Sequence, residues 1–259
     1  MPELIEVETY LKAAGRAIGR TVATVSIPNR RYLAGDTRLS DLRSAICGHQ
    51  LQNIRRIGKL LIFHIGPASI GMRFGMTGRL VVDGEVSIDE LLYTTNEIQE
   101  KHVRCVITFQ EEGEIAMIDP RSFGKVEFKP DESRLGPDAT AISTEELLPV
   151  FLDTTASVKA LLLDQTRIAG LGNLLCDEIT WRSGFDPRRA GHTLEPTDVE
   201  RLASVIRATI EDLSSRGGSH MGDLQQERRQ GGTCPKDGVP LARDTVAGRT
   251  TWWCPEHQF

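Results

Sequence analysis

The sequence predicts an α+β protein: an N-terminal β-sandwich with an initial helix, then a helical domain, then a C-terminal β-hairpin. Two changes of pattern predict this order. From Thr21 to about Phe128, short apolar or alternating runs are separated by Gly, Asp and Asn, which is typical of an all-β region. From Ser143 the apolar residues follow the spacing of a helix. The last 28 residues, from Gly232, alternate polar and aromatic side chains around two Cys.

The individual elements follow from these patterns. Apolar residues at helical spacing between residues 5 and 18 predict the first helix, which ends near Gly19. Runs that predict strands include 21–27, 59–65, 69–74, 103–109, 115–118 and 125–128. Helices are predicted at 144–152, 156–164, 174–183 and 196–215. We therefore expect a β-sandwich domain at 1–130, a linker at 131–142, a helical domain at 143–225 and a hairpin at 226–259.

Composition narrows the class of protein. With 39% hydrophobic and 26% charged residues, the 259-residue chain is ordinary for a soluble protein and long enough for two domains. It has no apolar run near the ~18 residues of a membrane span and no signal-peptide core, so we expect a cytoplasmic protein. An odd count of five Cys argues against a disulfide framework. Cys47, Cys105 and Cys176 lie in apolar contexts and are predicted to be core thiols.

Charge is segregated along the chain, although the net charge of −5 is unusual for a protein that binds nucleic acid. Residues 20–64 hold eight basic and two acidic residues, whereas residues 83–114 hold nine acidic and two basic residues. A basic region of this kind suits an acidic partner. Charge runs also occur on ordinary solvated faces, so the pattern alone does not identify the partner.

The first residues of the chain combine groups that can act on a sugar. Removal of Met1 leaves Pro2 with a secondary amine, and an α-amino group with a pKa of about 8 is partly neutral and nucleophilic. Attack of this amine on a sugar C1′ gives an iminium directly. Glu3 and Glu6 are candidates for proton transfer. The same residues also fit an ordinary helix start, where Pro and acidic side chains are common.

Residues 1–9, Met-Pro-Glu-Leu-Ile-Glu-Val-Glu-Thr, resemble the amino terminus of the formamidopyrimidine-DNA glycosylase/endonuclease VIII family. Ile5 stands where that motif usually has a second proline. The family consists of base-excision repair enzymes that use an N-terminal proline as nucleophile. The resemblance implies that Pro2 attacks C1′, that Glu3 protonates the sugar ring oxygen, and that Glu6 assists the transfer of protons.

A basic turn and two tight loops extend the resemblance. Arg55-Arg56-Ile57-Gly58-Lys59 is similar to the family's Arg-Arg-x-Gly-Lys turn, which implies a catalytic role for Lys59; a solvated basic turn is the alternative. The loops at 74–79 and 119–124 place apolar side chains on turns, where an enzyme that flips a nucleotide can use them to fill the hole. Met76, Arg121 and Phe123 match the family's void-filling set, and ordinary hairpin packing is the alternative.

The segment from Lys159 to Pro187 resembles the family's helix–two-turns–helix element. Gly170 and Gly172 permit a tight turn before a helix whose first N–H groups can bind phosphate. Asn173 adds a side-chain donor at that position. The resemblance predicts DNA contacts by Lys159 and Asn173, and by Arg249 in the hairpin.

The C-terminal segment has the spacing of a zinc ribbon. Cys234-Pro235-Lys236-Asp237 and Cys254-Pro255-Glu256-His257 are two pairs that a hairpin can bring together. The family's zinc-finger hairpin usually has four Cys, so Asp and His are departures. We predict one structural zinc held by Cys234, Asp237, Cys254 and His257. The alternative is a hairpin without metal, stabilised by Trp252 and Trp253.

Taken over nearly the whole chain, the resemblance implies a monomeric bifunctional DNA glycosylase and AP lyase that acts on damaged double-stranded DNA in the bacterial nucleoid. Oxidised purines, 8-oxoguanine and formamidopyrimidine, are the favoured substrates. The connection at 219–233 is shorter than in the 8-oxoguanine-selective branch, so an oxidised pyrimidine or hydantoin is the alternative. A non-catalytic protein that binds damaged DNA is the other alternative, and the joint presence of Pro2, Glu3 and Lys59 argues against it.

Overall fold

The structure is a computed structural model that describes residues 2–88, 91 and 98–259. It divides into two compact units, Met1–Glu132 and Ser133–Phe259. The division falls at the start of the segment predicted as a linker, and the predicted hairpin domain forms part of the second unit. Within the described residues, no helix is both long and apolar enough to cross a bilayer.

The first unit contains the predicted sandwich. Its strands are β1 (Val22–Ser26), β2 (Leu51–Ile57), β3 (Leu60–Ile65), β4 (Ala68–Arg73), β5 (Arg79–Val82), β6 (Glu85–Val86), β7 (Val103–Phe109), β8 (Glu114–Ile118) and β9 (Lys125–Phe128). In the described part of the chain, one antiparallel sheet has the order β1-β7-β8-β5-β6 and the other the order β2-β3-β4-β9. The unit also has helices α1 (Leu4–Ala14) and α2 (Leu39–Ile46).

Helix α1 is fixed by its apolar face. Val7, Tyr10 and Ala14 are fully buried in the core that also holds Phe63 and Met72. The helix packs against β2, β3 and β5. Full burial of a side chain such as Val7, Phe63 or Met72 stabilises the fold by about 1.5–3 kcal/mol. This packing determines where the start of the helix, and therefore Pro2 and Glu3, is held.

The predicted core thiols are mostly confirmed. Cys105 and Cys176 are buried, and burial raises the pKa of the Cys105 thiol to about 12. Cys47 is only partly buried, although it packs against the core of the first unit. The five Cys are free thiols.

The second unit contains the predicted helices and the hairpin. Its elements are α3 (Thr144–Phe151), α4 (Val158–Leu163), α5 (Asn173–Ser183), α6 (Pro196–Ser215), β10 (Ala242–Val246) and β11 (Arg249–Trp253). The predicted capping box begins α3: the Glu146 N–H donates to Ser143 Oγ at 3.2 Å, and the Ser143 N–H donates to Glu146 Oε2 at 2.9 Å. Helix α5 packs against both α6 and β11, so it connects the helices to the hairpin.

Candidate functional site

The start of α1 brings Pro2, Glu3 and Glu6 together in a buried position. Glu3 is 0% exposed and Glu6 is 2% exposed. Glu3 is the N-cap residue of the helix, and its backbone N–H donates to Glu6 Oε2 at 2.8 Å. Glu6 therefore holds the backbone of the proposed acid. Met1, whose removal would give Pro2 its amine, lies outside the described residues.

Tyr10 connects α1 to the first of the two predicted DNA loops. Its hydroxyl donates to the Gly78 carbonyl at 3.2 Å, and its ring centroid lies 4.6 Å from that of Phe74. Burial, together with the nearby Glu6 carboxylate, raises the pKa of Tyr10, so the phenol remains a proton donor at ordinary pH. Phe74 is buried in this contact.

Lys59 lies in the turn between β2 and β3 and is partly buried. Gly58 before it has a φ of 54°, which favours glycine. Arg56 connects this turn to α1: its Nε donates to Glu8 Oε2 at 2.9 Å, and its Nη1 donates to the Gly58 carbonyl at 2.9 Å. The Arg56 side chain is only 7% exposed. Sequence reasoning assigned no role to Glu8 or Arg56, although both lie within the motifs that located Pro2 and Lys59.

The two predicted DNA loops differ in exposure. Phe123 is 53% exposed and Arg121 is also exposed, whereas Met76 is partly buried. The Arg121 guanidinium lies 4.7 Å from the centroid of the Phe123 ring, within the range of a cation–π contact. Ser122 between them has a φ of 56°, in the left-handed region of backbone conformation.

The second unit brings Asn173 and Arg249 close together. The Asn173 side-chain Nδ2 donates to the Thr250 carbonyl at 3.1 Å, and exposed Arg249 precedes Thr250. Among the described residues, Asn173 Oδ1 is buried and has no hydrogen-bond partner. Gln165 shapes the turn before α5, because its side chain accepts from the Gly170 N–H and donates to the Leu171 carbonyl. Its place in the glycine-rich motif was the available signal for this role.

Lys159 does not fit the predicted contact with DNA. Its side chain is 0% exposed, and its Nζ lies 2.5 Å from Asp177 Oδ1 and 2.7 Å from Thr251 Oγ1. Asp177 is also fully buried, and its second oxygen accepts two hydrogen bonds from Arg228, at 2.9 and 2.7 Å. A buried charge must be paired, and this pairing takes up the ammonium. Lys159 is therefore an internal cation that connects α4, α5 and the hairpin.

The four predicted metal ligands form one cluster. One ligand atom from each of Cys234, Asp237, Cys254 and His257 lies within 4.8 Å of all the others. Asp237 Oδ2 is 3.3 Å from Cys234 Sγ and 3.0 Å from Cys254 Sγ, and Cys234 Sγ is 3.7 Å from His257 Nδ1. Tetrahedral zinc with bonds of about 2.0–2.3 Å needs its ligand atoms about 3.3–3.8 Å apart. The donor set fits a zinc ion. The distances from Cys234 Sγ to Asp237 and His257 lie in this range, whereas Asp237 Oδ2 lies closer than that to Cys254 Sγ and His257 Nδ1.

Trp181 on α5 supports this cluster, and sequence reasoning missed it. Its indole N–H donates to Cys234 Sγ at 3.3 Å, and His257 Nε2 lies 3.1 Å from its carbonyl. Such outer contacts orient metal ligands. Cys234 and Cys254 are buried, and the apolar cluster around them contains Trp181 and Leu224.

The electrostatics of the cluster centre on Asp237. Hydrogen bonds from Cys254 and then His257 lower the pKa of Asp237 to about 2. Burial, followed by the contact with Asp237, raises the pKa of Cys254 to about 11. The thiol therefore holds its proton against an ionised carboxylate. Binding of a metal cation to this set would release that proton, because thiolate is the form that ligates zinc.

An N-terminal Pro-Glu helix on a β-sandwich, followed by a helical unit with a glycine-rich turn and a Cys/His hairpin, defines the class of DNA-repair glycosylases. Comparison with known families supports this class. The model described as the formamidopyrimidine-DNA glycosylase N-terminal domain matches residues 1–126, and the model of the H2TH domain of the same proteins matches residues 135–223. The chain therefore belongs to the formamidopyrimidine-DNA glycosylase family, as its motifs predicted.

Relatives and solved structures agree over the full length. The chain is 30% identical to a formamidopyrimidine-DNA glycosylase of Solibacter usitatus, over 100% of this chain and 99% of the relative. It is 31% identical to that of Gluconobacter oxydans, over 100% of both. A Lactococcus lactis Fpg structure with abasic-site DNA has a TM-score of 0.84 at 26% identity and covers 100% of both chains. A MutM structure with carbocyclic 8-oxo-G DNA also has a TM-score of 0.84, at 27% identity, with 100% of both chains covered.

Proposed function

We propose that this protein is a bifunctional DNA glycosylase and abasic-site lyase that removes oxidised bases from double-stranded DNA. The observation that carries the proposal is the buried start of α1, where Pro2 and Glu3 precede a helix held in the core of the first unit. Contacts from Glu6 and from the Glu8–Arg56 pair support it, because they fix the proposed acid and the Lys59 turn relative to the same helix.

The proposed reaction uses the Pro2 amine as nucleophile. Its nitrogen forms a bond to C1′ of the damaged nucleotide, and the base leaves with the electrons of the glycosidic bond. Glu3 donates a proton to the ring oxygen as the bond between that oxygen and C1′ opens, which leaves an iminium. Loss of a proton from C2′ then expels the 3′ phosphate, and a further elimination expels the 5′ phosphate. Lys59 supplies a cation for a phosphate beside the lesion.

Five side chains are proposed to contact the DNA itself. Asn173 and Arg249 bind phosphate. Two observations support this role: Asn173 donates a hydrogen bond to the carbonyl of Thr250, the residue after Arg249, and Arg249 is exposed. Met76, Arg121 and Phe123 fill the space left by the flipped nucleotide. The exposed aromatic ring of Phe123 and its contact with Arg121 support this role, since a large exposed apolar side chain on a tight loop needs a partner.

We infer that the cluster in the second unit holds one structural zinc ion. Two thiolates, an imidazole and a carboxylate are all zinc ligands, and their ligand atoms lie within 4.8 Å of one another. Zinc would hold the loop of Cys234 and Asp237 against Cys254, which follows the end of β11 opposite to Arg249. The harder carboxylate oxygen makes this site weaker than one with four thiolates.

Oxidised purines are the proposed substrates. Two findings support this class: Lactococcus lactis Fpg has been solved with Fapy-dG DNA, and MutM with carbocyclic 8-oxo-G DNA. The short connection after α6 keeps an oxidised pyrimidine as the second candidate. This connection is fixed to α5, because Glu178 accepts hydrogen bonds from the N–H groups of Asp223 and Leu224 at 3.1 and 3.0 Å. Excision rates on duplexes with 8-oxoguanine, formamidopyrimidine or an oxidised pyrimidine separate the two.

Borohydride trapping on abasic-site DNA tests the reaction. Wild-type protein should form a covalent adduct, whereas Pro2→Gly, or protein that retains Met1, should bind the duplex without trapping. Glu3→Gln should lose about 10²–10⁴-fold in base excision, the usual contribution of a positioned acid. Glu200→Gln, at an exposed position on α6, is the matched control. Efficient trapping by the Met1-retained protein would exclude Pro2 as nucleophile, and no trapping by wild type would favour a non-catalytic binding protein.

A further inference from the structure

Asp119 joins the two loops that carry the void-filling residues: the Met76 loop, residues 74–79, and the Arg121 loop, residues 119–124. Its side chain is 0% exposed, and both of its oxygens accept hydrogen bonds. Thr77 Oγ1 donates to Oδ1 at 2.5 Å, and the Gly124 N–H donates to Oδ2 at 2.7 Å. The Tyr32 hydroxyl also donates to Oδ2, at 3.2 Å. One buried carboxylate therefore binds both loops and the segment after β1.

Thr77 completes this connection from the other side. Its hydroxyl donates to Asp119 and accepts from the Arg121 N–H at 3.3 Å, so one side chain of the Met76 loop fixes the backbone of Arg121. Thr77 is 0% exposed. The Asp119 carbonyl also accepts from the Ser122 N–H at 3.2 Å and from Arg104 Nε at 2.8 Å. Hydrogen bonds in the protein interior are stronger than in water, so this buried and fully bonded set has little freedom to rearrange.

The backbones of the two loops also touch. A Cβ added at Gly75 would lie 2.6 Å from the Phe123 carbonyl carbon, and one at Gly124 would lie 2.2 Å from the Tyr32 hydroxyl oxygen. A side chain at Gly75 would push the loops apart, and one at Gly124 would clash with Tyr32. Met76, Arg121 and Phe123 therefore lie on two loops that are hydrogen-bonded and packed together, although the loops come from separate segments of the chain.

We propose that Thr77 and Asp119 are positioning residues that lock the Met76 and Arg121 loops into one preformed unit, so that Met76, Arg121 and Phe123 enter the duplex together. The proposal rests on the proposed function. Neither residue needs to touch the DNA. Their effect is to order the three inserting side chains before binding, so that the ordering is not required during nucleotide flipping.

The test replaces the Thr77 hydroxyl by a methyl group of the same size. Thr77→Val should lower single-turnover base excision from a lesion duplex by roughly 10- to 100-fold, because small misplacements of positioning groups have effects of that size. It should also reduce the dependence of the rate on the base opposite the lesion. Borohydride trapping on single-stranded abasic DNA, which has no orphaned base and no void, should match wild type. Thr77→Ser, which keeps the hydroxyl, should restore the duplex rate.

Three controls separate positioning from loss of fold. The yield of trapping on single-stranded abasic DNA measures the active fraction of each preparation, and duplex rates are scaled to it. Thr209→Val makes the same change at a fully buried threonine whose hydroxyl has no partner among the described residues, and should behave as wild type. Tyr32→Phe removes one donor to Asp119 Oδ2, which the Gly124 N–H still serves, and should have a smaller effect than Thr77→Val.

Two results would overturn the proposal while leaving the proposed function intact. One is a Thr77→Val duplex rate within twofold of wild type. The other is an equal loss on duplex lesions and on single-stranded abasic DNA, because that result would give the hydroxyl a purely structural role. A wild-type protein that traps neither substrate would overturn the proposed function and, with it, the role given to the two loops.

Discussion

Replacement of Lys159 tests whether its charge belongs to the protein interior or to DNA binding. Lys159 and Asp177 are both 0% exposed, so solvent does not screen their pair. In Lys159→Met, Asp177 keeps both hydrogen bonds from Arg228, and its charge stays compensated. The loss is then that of a hydrogen-bonded partner in the interior, about 1–3 kcal/mol.

Asp177→Asn should be more damaging than Lys159→Met. Removal of the carboxylate charge leaves two cations, Lys159 and Arg228, next to each other without an anion. Breaking a buried pair from one side costs about 3–5 kcal/mol. For a denaturant slope of about 2 kcal/mol per molar urea, the midpoint falls by about 1.5–2.5 M in Asp177→Asn and by about 0.5–1.5 M in Lys159→Met.

Tryptophan fluorescence measures these stability changes in the second unit, which contains Lys159 and Asp177. Trp181, Trp252 and Trp253 are the three Trp of the sequence, and all lie in the second unit. Urea unfolding followed by their emission therefore reports the stability of that unit. Arg249→Met is the matched control, since it also replaces a cation by Met but at an exposed position, and should change the stability by less than about 0.5 kcal/mol.

The salt dependence of DNA binding should be affected in the opposite order: Arg249→Met should change it more than Lys159→Met. Each phosphate contact contributes about −0.9 to the slope of log K against log salt. Arg249→Met should make that slope about 0.9 less negative, whereas Lys159→Met should leave it unchanged while the protein is folded. A Lys159→Met protein with wild-type stability and a reduced slope would refute the argument from burial and restore the predicted DNA contact.

Three further predictions concern metal, pH and the connection after α6. Asp237→Cys should slow the removal of zinc by a chelator, since it adds a thiolate; a metal-to-protein ratio near zero in both proteins would exclude the site. Arg20 lowers the pKa of Asp83 from 3.8, so the stability from this pair is present above about pH 4 and lost as the pH falls through the lower value. Circular dichroism during acid titration should show a shallower loss in Asp83→Asn, and parallel curves would contradict this. Glu178→Gln should speed hydrogen exchange at the N–H groups of Asp223 and Leu224, and unchanged exchange there would show that its carboxylate does not hold the segment.

The sequence predicted those helices and strands in which the spacing of apolar residues matches the face that is buried. Val103–Phe109 and Pro196–Ser215 have the predicted bounds, because one alternates regularly and the other has a helical apolar face after a proline. Strand β2 was missed, because its sequence does not alternate: the polar residues Gln52 and Asn53 follow each other and are both exposed. Helix α2 was missed as well: its N-cap is Arg38, which provides no capping hydrogen bond.

Sequence patterns are local, and this limit also applies to the functional site. Candidate groups that lie next to each other in sequence, such as Pro2 and Glu3, could be found from a motif. Groups that act through distant partners could not. Asp119 and Thr77 are 42 residues apart, and no local pattern indicates that one carboxylate serves both loops. Trp181 was missed for the same reason, since its contact with Cys234 spans 53 residues.

Lys159 shows how this limit affects function as well as fold. A lysine near a glycine-rich phosphate turn suggests DNA binding, because exposed lysines bind phosphate. Its partners are 18 and 92 residues away, and together they place it in the interior. Residue type therefore predicts a DNA contact only where packing leaves the charge at the surface, as it does for Arg121 and Arg249. By that criterion the proposed contacts reduce from six residues to five, and Lys159 contributes by fixing the strand that carries Arg249.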